Sequence, residues 1–456
     1  MANFDAIVIG AGQAGPSLAF RLAATGRRVA LAERSAVGGT CVNTGCTPTK
    51  TLVASARLAQ LARRAAEYGI ELPGPVGIDW PRVKARMDAV VARSRDGLTR
   101  ALEEAENITF LRGHARFTGP HAMEVNGQPL RAPWIFLDVG GRAAAPPIPG
   151  LETVPWLTNT TLLQLETMPR HLAILGGSYI GLEFAQVFRR LGAEVTVLEV
   201  APRLIPREDE EVSATIRDML EAEGIAFHLG AKGLSVAPAP EGVALRLEGA
   251  PKIHASHLLL ATGRRPNTDS LGLEAAGIAR DARGFITVDD ELQTSVPGIW
   301  ALGECNGRGA FTHTAYNDYE IVAANLLDGE ARRVTDRLPC YALFTDPPLG
   351  RVGMTEREAR EAGHEVLVGT RPMTRVSRAV EKGETTGFMK VMVDAESKRI
   401  LGAAILGTDG DEAVHALLDV MQAKLPYTAL QRTVHIHPTV SELIPTLLGE
   451  LKPARP

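Results

Sequence analysis

Apolar positions in this chain fall into short, almost uninterrupted runs, each followed by a longer amphipathic stretch. The runs "AIVIG" from Ala6 and "HLAILGG" from His171 predict buried parallel strands, since nearly every position in them is apolar. Glycines end each run, and an alanine- or leucine-containing stretch of helical period and a second apolar strand follow. The chain is therefore predicted to be an α/β protein that contains the same β-α-β unit twice.

The first unit carries Gly10, Gly12 and Gly15 in G-x-G-x-x-G spacing, and its second strand ends at Glu33. In this pattern the first glycine permits a tight turn, the second lets a pyrophosphate approach the backbone, and the third lets the helix pack on the strand. The helix N-terminus attracts the phosphate charge, and the acid bonds a ribose hydroxyl. The unit is predicted to bind a dinucleotide.

The second unit repeats this pattern with Gly176, Ser178, Gly181 and Glu199. The spacing from its first glycine to its acid equals that in the first unit, which argues against coincidence. Ser178 departs from the middle glycine, but its side chain is small enough to keep the assignment. Two dinucleotide sites suggest an electron relay, with one cofactor held permanently and one that exchanges.

Composition limits the class of protein. The length of 456 residues predicts two to four domains, and 45% hydrophobic and 22% charged residues are typical of a soluble globular protein. The net charge of −4 gives no basic surface for nucleic acid, and no apolar run reaches the roughly 20 residues that span a membrane. No signal peptide is expected, because a core strand comes first. Four cysteines in so long a chain suggest a reducing cytoplasm.

Two of those cysteines, Cys41 and Cys46, lie in "GGTCVNTGCTPTK". They are compatible with a structural disulfide, with half of a metal site, or with a redox pair. Pro48 and the alanine-rich run after it predict a helix that begins near Cys46, and a helix N-terminus and the nearby Lys50 both favour a thiolate. A zinc site lacks a second close cysteine pair, so no resident metal is expected. The redox pair is favoured, with FAD assigned to the first unit, just upstream, and NAD(P)H to the second.

The glycine unit, "GGTCVNTGCTPTK", "GGSYIGLE", "ATGRRPN" and "HIHPTVSE" resemble, in order and spacing, the FAD-dependent pyridine nucleotide-disulfide oxidoreductases. These include dihydrolipoamide dehydrogenase, glutathione reductase and mercuric reductase, and "TGCTPTK" looks most like the mercuric-reductase-like branch. The resemblance covers essentially the whole chain. It implies two Rossmann-like dinucleotide-binding domains, a C-terminal α+β dimerisation domain, and a homodimer whose active site is shared between subunits.

The resemblance also implies catalytic roles. Cys46 matches the thiolate that stacks on the flavin, and Cys41 the thiol that exchanges with substrate. Lys50 matches a lysine that bonds a glutamate beside the flavin, and Glu183 matches that glutamate. Tyr179 matches an aromatic residue that covers the flavin until nicotinamide displaces it. Without the resemblance, Glu183 reads as an exposed helix acid and Tyr179 as a packing residue.

The "HIHPTVSEL" segment supplies an acid and base for thiol chemistry. His titrates near neutral pH, and a carboxylate can orient the imidazole and raise its basicity. Pro438 is expected to hold His437 extended and to start a helix that carries Glu442. The resemblance implies that this pair serves the opposite subunit. His435 is interpreted as structural.

Further cofactor contacts follow from the resemblance. Glu304 stands where relatives carry an aspartate that holds the ribityl chain, so an acceptor remains but its geometry differs. At Asp138, Val139 and Gly140 most relatives have Ala-Thr-Gly, so a threonine contact is lost. The remaining positions that match flavin contacts are Gly39, Thr40, Lys50, Ala115, Gly303, Phe311 and Thr312, and those that match nicotinamide-dinucleotide contacts are Ile180 and Gly263.

These anchors predict four segments: 1–150 binds FAD, 151–270 binds NAD(P), 271–336 returns to the flavin, and 337–456 forms the dimer interface. Paired helices are expected within the first segment, up to about residue 106. Cys305 and Cys340 lack a partner nearby in sequence and are expected to be bystanders.

Three functions compete. The first is a reductase that passes electrons from NAD(P)H through FAD and the cysteine pair to a disulfide or soft metal ion, and the alternative is dihydrolipoamide dehydrogenase. The motifs do not separate these two. A flavin-bearing assembly protein is disfavoured, because the catalytic residues are intact. A mercury reductase is expected to have a C-terminal cysteine pair, whereas this sequence ends "GELKPARP". NADH is the favoured coenzyme, because Glu199 is followed by Val200 and Ala201, with Arg203 and Arg207 only further along the loop.

Overall fold

The computed structural model describes residues 2–454 of the chain. Its first region combines a parallel sheet, a smaller mixed sheet and long helices. The elements are β1 (Ala2–Asn3), β2 (Ala6–Ile9), α1 (Gly15–Ala23), β3 (Val29–Glu33), α2 (Gly39–Thr44), α3 (Cys46–Arg63), α4 (Trp80–Glu104), β4 (Ile108–Arg112), β5 (Ala115–Gly119), β6 (Ala122–Val125), β7 (Gln128–Arg131), β8 (Trp134–Leu137) and β9 (Gly141–Ala143).

The middle region contains the second β-α-β unit and the segment that follows it. The elements are α5 (Asn159–Leu162), β10 (His171–Leu175), α6 (Tyr179–Arg190), β11 (Glu194–Glu199), α7 (Glu210–Ala222), β12 (Ala226–Leu229), β13 (Ser235–Ala239), β14 (Gly242–Arg246), β15 (Ile253–Ala255), β16 (His257–Leu260), β17 (Arg264–Pro266), α8 (Leu273–Ala276), β18 (Ile299–Ala301) and α9 (Thr312–Ala323).

The last region is built on antiparallel strands with short helices around them. The elements are β19 (Cys340–Leu343), β20 (Leu349–Gly353), α10 (Glu356–Glu361), β21 (Val366–Pro372), α11 (Ser377–Glu381), β22 (Phe388–Asp394), β23 (Ile400–Leu406), α12 (Gly410–Ala413), α13 (His415–Gln422), α14 (Tyr427–Gln431), α15 (Ile444–Gly449) and β24 (Lys452–Pro453).

The two β-α-β units form separate parallel sheets with the same central arrangement. In the first sheet the order is β18-β8-β2-β3-β4, and in the second it is β12-β11-β10-β16. In each, the strand that leads into the glycine turn lies between its own following strand and a later one. Strand β18 pairs in parallel with β8, so the segment after the second unit returns to the first sheet.

The C-terminal strands form a six-stranded antiparallel sheet in the order β19-β20-β23-β22-β21-β24. Its inner strands β22 and β23 are buried along almost their whole length, and the short helices cover it. The predicted fold class, two Rossmann-like domains and a C-terminal α+β domain, is confirmed.

One continuous apolar cluster holds the three regions together near the cysteine helix. Leu52 of α3, Phe184 and Phe188 of α6, and Leu343 and Leu349 of the C-terminal sheet are buried in it. Burying each such side chain stabilises the fold by about 1.5–3 kcal/mol. Helix α3 is therefore fixed against the second unit and against the C-terminal sheet at once. Within residues 2–454 no helix is both long and apolar enough to cross a membrane.

Candidate active site

The two cysteines of the candidate redox pair lie on consecutive helices. Cys41 is in the short helix α2, and Cys46 is the first residue of α3, which runs for 18 residues. The predicted helix start near Cys46 is confirmed. The free N–H groups of the first helical turn favour a negative charge there, so a thiolate at Cys46 is stabilised.

The surroundings of the two thiols push their pKa values in opposite directions. A hydrogen bond from Cys41 is the main cause that lowers the pKa of Cys46 to about 6, and Thr312 and Lys50 lower it further against the opposing effect of burial. The Thr312 hydroxyl oxygen lies 3.3 Å from the Cys46 sulfur. The same Cys41–Cys46 hydrogen bond, followed by burial, raises the pKa of Cys41. At neutral pH the pair therefore consists of a Cys46 thiolate and a Cys41 thiol.

An ion pair joins the cysteine helix to the second unit. Nζ of Lys50 on α3 lies 2.7 Å from Oε2 of Glu183 on α6. Glu183 is 6% exposed and also accepts a 3.0 Å hydrogen bond from the backbone N–H of Phe344. Lys50 in addition lies over the Phe344 ring at 4.5 Å. The structure thus buries the acid that helix periodicity alone would leave exposed, and it brings Lys50 and Glu183 together as the resemblance implied.

Tyr179, the first residue of α6, lies in an aromatic cluster where the middle and last regions meet. Its ring packs edge-on against Phe311 at 6.2 Å and against Tyr341 at 5.4 Å, and Arg207 lies over it at 5.2 Å. The hydroxyl groups of Tyr179 and Tyr341 both hydrogen-bond the buried carboxylate of Glu208. Sequence reasoning missed Tyr341 and Glu208, because neither belongs to a motif with a local chemical pattern.

The first glycine turn fits a dinucleotide. Gly10 has a φ of +103°, and a side-chain carbon on Gly15 would collide with the carbonyl oxygen of Gly10. The Glu33 carboxylate accepts a 2.8 Å hydrogen bond from the Ala11 N–H and so ties the end of β3 to the turn. A side-chain carbon on Gly39 would lie only 3.0 Å from the Gly12 Cα, so glycine there lets the cysteine helices pack against the turn.

The second glycine turn has the same construction. Gly176 has a φ of +112°, and a side-chain carbon on Gly181 would collide with the Gly176 carbonyl oxygen. Glu199 accepts a 2.6 Å hydrogen bond from the Gly177 N–H. Ser178 immediately precedes α6 without capping it through its side chain. The turn leaves the helix N-terminus open for a pyrophosphate, so its residues fit a second dinucleotide.

The other predicted cofactor residues lie on several different elements. Glu304 does not present a free carboxylate, because Arg264 binds it through two hydrogen bonds of 2.5 and 2.8 Å. Ala115 is buried at the start of β5. The remaining positions are Thr40 in α2, Gly140 and Gly303 with φ of +59° and +69°, Phe311 and Thr312 at the start of α9, Ile180 in α6, and Gly263 with φ of +125° after β16.

His437 and Glu442 form a pair in the C-terminal region. Nδ1 of His437 lies 2.8 Å from Oε2 of Glu442, with the His437 side chain 73% exposed and that of Glu442 14% exposed. The His437–Pro438 bond is cis, and the expected helix starts later, with a 3₁₀ turn at Ser441–Leu443 before α15. Among the described residues, no hydrogen bond or ion pair joins this pair to either redox cysteine within one chain.

The two other cysteines differ from the redox pair. Cys305 is fully buried, its thiol donates to the Leu302 carbonyl at 3.2 Å, and burial raises its pKa. Burial also raises the pKa of Cys340. Both are therefore protonated at neutral pH. In the part of the chain that the structure describes, no three His, Cys, Asp or Glu side chains cluster as a metal site.

Comparison with known proteins gives matches along almost the whole chain. The family description "Pyridine nucleotide-disulphide oxidoreductase" matches residues 4–318, and the description of its dimerisation domain matches residues 340–448. The probable pyridine nucleotide-disulfide oxidoreductase RclA of Escherichia coli is 38% identical, with 99% of this chain and 100% of that protein covered. A dihydrolipoyl dehydrogenase of Thermus scotoductus is 35% identical over 97% of this chain and 96% of its own length.

Solved structures extend this similarity to three dimensions. The HOCl-induced flavoprotein disulfide reductase RclA from Escherichia coli superimposes with a TM-score of 0.90 at 38% identity, covering 98% of this chain and 99% of that one. Its Cu(II) complex gives the same TM-score and coverage.

Proposed function

The chain belongs to the pyridine nucleotide-disulphide oxidoreductase family and is therefore an oxidoreductase, and we propose that it is a cytoplasmic reductase whose Cys41–Cys46 pair carries electrons from NADH to a disulfide or a soft metal ion. The observation that carries the proposal is the asymmetry of the pair. Cys46 is held as a thiolate at the start of α3, while Cys41 keeps its proton. A structural disulfide would not need such asymmetry.

The dinucleotides are held by the two glycine turns. Gly12, Gly15 and Glu33 would hold FAD, and Gly181 and Glu199 would hold the nicotinamide dinucleotide. When bound, FAD supplies the hydride acceptor that links nicotinamide to sulfur. The Lys50–Glu183 ion pair joins α3 to α6. The cysteine helix α3 and the start of α6 therefore keep a fixed relative position.

Thiol–disulfide exchange accounts for every proton and electron in the reduction of a disulfide. His437 takes the proton of Cys41, and the Cys41 sulfur attacks one substrate sulfur and breaks the substrate S–S bond. The first leaving thiolate receives the proton from His437. The Cys46 thiolate then attacks the Cys41 sulfur, which forms the Cys41–Cys46 disulfide and releases the second substrate thiolate. Glu442 orients the imidazole through its 2.8 Å contact.

We assign the reaction to a homodimer in which His437 of one subunit serves the cysteines of the other. The segment beside His437 is strongly exposed, with Val434 at 95% and Ile436 at 80%, which supports coverage by a second copy. Co-expressed Cys41→Ser and His437→Ala subunits should recover activity, because each mixed dimer contains one intact site. Random pairing predicts about a quarter of wild-type activity, whereas activity no higher than that of either variant alone would place His437 within its own subunit's site.

A soft metal ion is a second acceptor that the same pair can reduce. Support comes from the relative RclA, which has been solved as a Cu(II) complex, and from thiolate, which is a soft ligand suited to copper. The Cys41 thiol, the Cys46 thiolate and two Cu(II) ions give one disulfide, two Cu(I) ions and one proton. The test is NADH oxidation by the holoenzyme with disulfides, Cu(II) and Hg(II) as acceptors, with Cys41→Ser as the control. Equal rates in that variant would exclude the cysteine pair as the route.

Dihydrolipoamide dehydrogenase remains a second candidate, favoured by the 35% identity to the Thermus scotoductus enzyme. In that role the same cysteines accept electrons from a dithiol, and NAD⁺ is reduced. This candidate is selected if dihydrolipoamide reduces NAD⁺ much faster than NADH is oxidised with any of the disulfide, Cu(II) or Hg(II) acceptors.

A further inference from the structure

Asp138 places a buried carboxyl group against the first glycine turn. It directly follows β8, is 7% exposed, and accepts a 2.8 Å hydrogen bond from the Gly15 N–H at the start of α1. A side-chain carbon on Gly12 would lie 2.8 Å from Oδ2 of Asp138. The carboxyl group therefore faces the bare side of Gly12 and occupies one N–H of the first helical turn.

The bare side of the middle glycine and the free N–H groups of the first helical turn are the two features that a pyrophosphate needs from such a turn. The middle glycine lets the phosphate approach the backbone, and the N–H groups of the helix N-terminus stabilise its charge. A carboxylate at this place puts like charge beside the phosphate and uses one of the same donors. Both effects weaken phosphate binding when the carboxyl group is ionised.

The second unit shows that the fold does not require an acid there. A side-chain carbon on Gly10 would collide with the carbonyl oxygen of Asp138, and one on Gly176 would collide in the same way with that of Ala261. Ala261 is therefore the counterpart of Asp138, with a methyl group in place of the carboxyl group. The acid is a feature of the flavin turn alone.

The charged groups around Asp138 disfavour a second negative charge. Burial is the main cause that raises the pKa of Asp138, and the charges of Glu33 on β3 and Asp318 on α9 raise it further. The pKa reaches about 8 although the hydrogen bonds from the turn oppose the rise. The Cys305 thiol also lies nearby, because its pKa, raised mainly by burial, is raised further by the Asp138 charge. Arg337 and Arg264 are already bound to Asp318 and Glu304, so neither serves Asp138.

We propose that Asp138 makes flavin retention proton-dependent: the neutral acid accommodates the pyrophosphate, and the carboxylate repels it. The proposal rests on FAD occupying the first unit. A bound phosphate raises the pKa of Asp138 further, by at least about one unit as a like charge. FAD binding then takes up a proton as the pH passes 8, and affinity falls with rising pH by roughly fivefold to tenfold.

The test measures free FAD by fluorescence after ultrafiltration of dilute holoenzyme between pH 6.5 and 9.5. The enzyme is kept oxidised, so that the Cys41–Cys46 disulfide does not titrate. We expect the dissociation constant of the wild type to rise about fivefold to tenfold across this range, and that of Asp138→Asn and Asp138→Ala to stay level. Asp88→Asn, a half-exposed aspartate on α4, should behave as the wild type.

A level wild-type profile, or an equal slope in Asp138→Asn, would overturn the proposal. If the variants do not fold, calorimetry of FAD rebinding to the wild type in two buffers of different ionisation enthalpy counts the protons directly. Uptake of about half a proton or more at pH 8.5 supports Asp138, and uptake of none refutes it. A protein that binds no FAD at any pH would refute the function proposed above, which is a separate outcome.

Discussion

The Thr312 hydroxyl is expected to set the ionisation of Cys46 from the distant start of α9. Its oxygen lies 3.3 Å from the Cys46 sulfur, and Thr312→Val removes this hydrogen bond with little change in volume. A hydrogen bond to a charged group contributes about 1.5 kcal/mol, which corresponds to roughly one pKa unit. The pKa of Cys46, about 6 in the structure, should therefore rise to about 7.

The assay uses a Cys41→Ser background, in which Cys46 is the one redox thiol and the serine hydroxyl keeps a donor beside it. A thiolate next to an oxidised flavin absorbs at long wavelength, so the band reports ionised Cys46 without turnover. Because the pKa is depressed, the band should persist at neutral pH and disappear as the pH falls through about 6. A thiol with the ordinary value of 9.0 would be only about 1% ionised at pH 7, against about 90% here.

Two controls separate the hydrogen bond from a general disturbance. Thr47→Val lies on the same helical turn as Cys46, and among the described residues its side chain bonds neither sulfur, so it should leave the midpoint unchanged. Cys46→Ser in the wild-type background should remove the band formed on two-electron reduction. A titration midpoint of the band near pH 8 or above in the Cys41→Ser protein would show that the pKa of Cys46 is not lowered as argued. An unshifted midpoint in Thr312→Val would show that the Thr312 hydroxyl does not stabilise the thiolate.

The remaining predictions concern the charges, the acid–base pair and the coenzyme. Glu183→Gln should lower the Cys46 midpoint and Lys50→Met should raise it, because Glu183 raises and Lys50 lowers that pKa; shifts of the same sign would contradict this account. His437→Ala should slow disulfide turnover by about 10²–10⁴-fold, while NADH still reduces the flavin at the normal rate in stopped-flow measurements. His435→Ala is the control. Equal slowing of both half-reactions in His437→Ala would exclude a role for His437 in thiol chemistry. The kcat/KM for NADH should exceed that for NADPH by at least about tenfold, which corresponds to roughly 1.4 kcal/mol. Glu199→Ala should narrow this preference by raising kcat/KM for NADPH. A wild type that prefers NADPH would contradict the prediction and point to Arg203, which here binds Glu210 at 3.1 Å, as the ligand of the 2′-phosphate.

The parts of this protein that the sequence determined are those encoded within a short stretch of chain. Glycine positions, the apolar strands on either side and the terminal acids lie close together, so backbone sterics and helix dipoles fix both dinucleotide turns locally. The same holds for the start of α3 at Cys46 and for the pairing of His437 with Glu442, which lie five positions apart.

Tertiary structure decided what lies around those motifs. Lys50 meets Glu183 across 133 positions and Cys46 meets Thr312 across 266, and these contacts depend on how sheets and helices pack. The sequence suggested that the Glu304 carboxylate is free to accept a hydrogen bond from the flavin's ribityl chain. In the fold, Arg264 of β17 donates two hydrogen bonds to that carboxylate. From the sequence, the segment at Asp138 indicated only that a threonine contact is lost. The fold shows in addition that the Asp138 carboxyl group faces Gly12. Strand order brings such residues together, and a periodic pattern along one strand or helix does not record its neighbours.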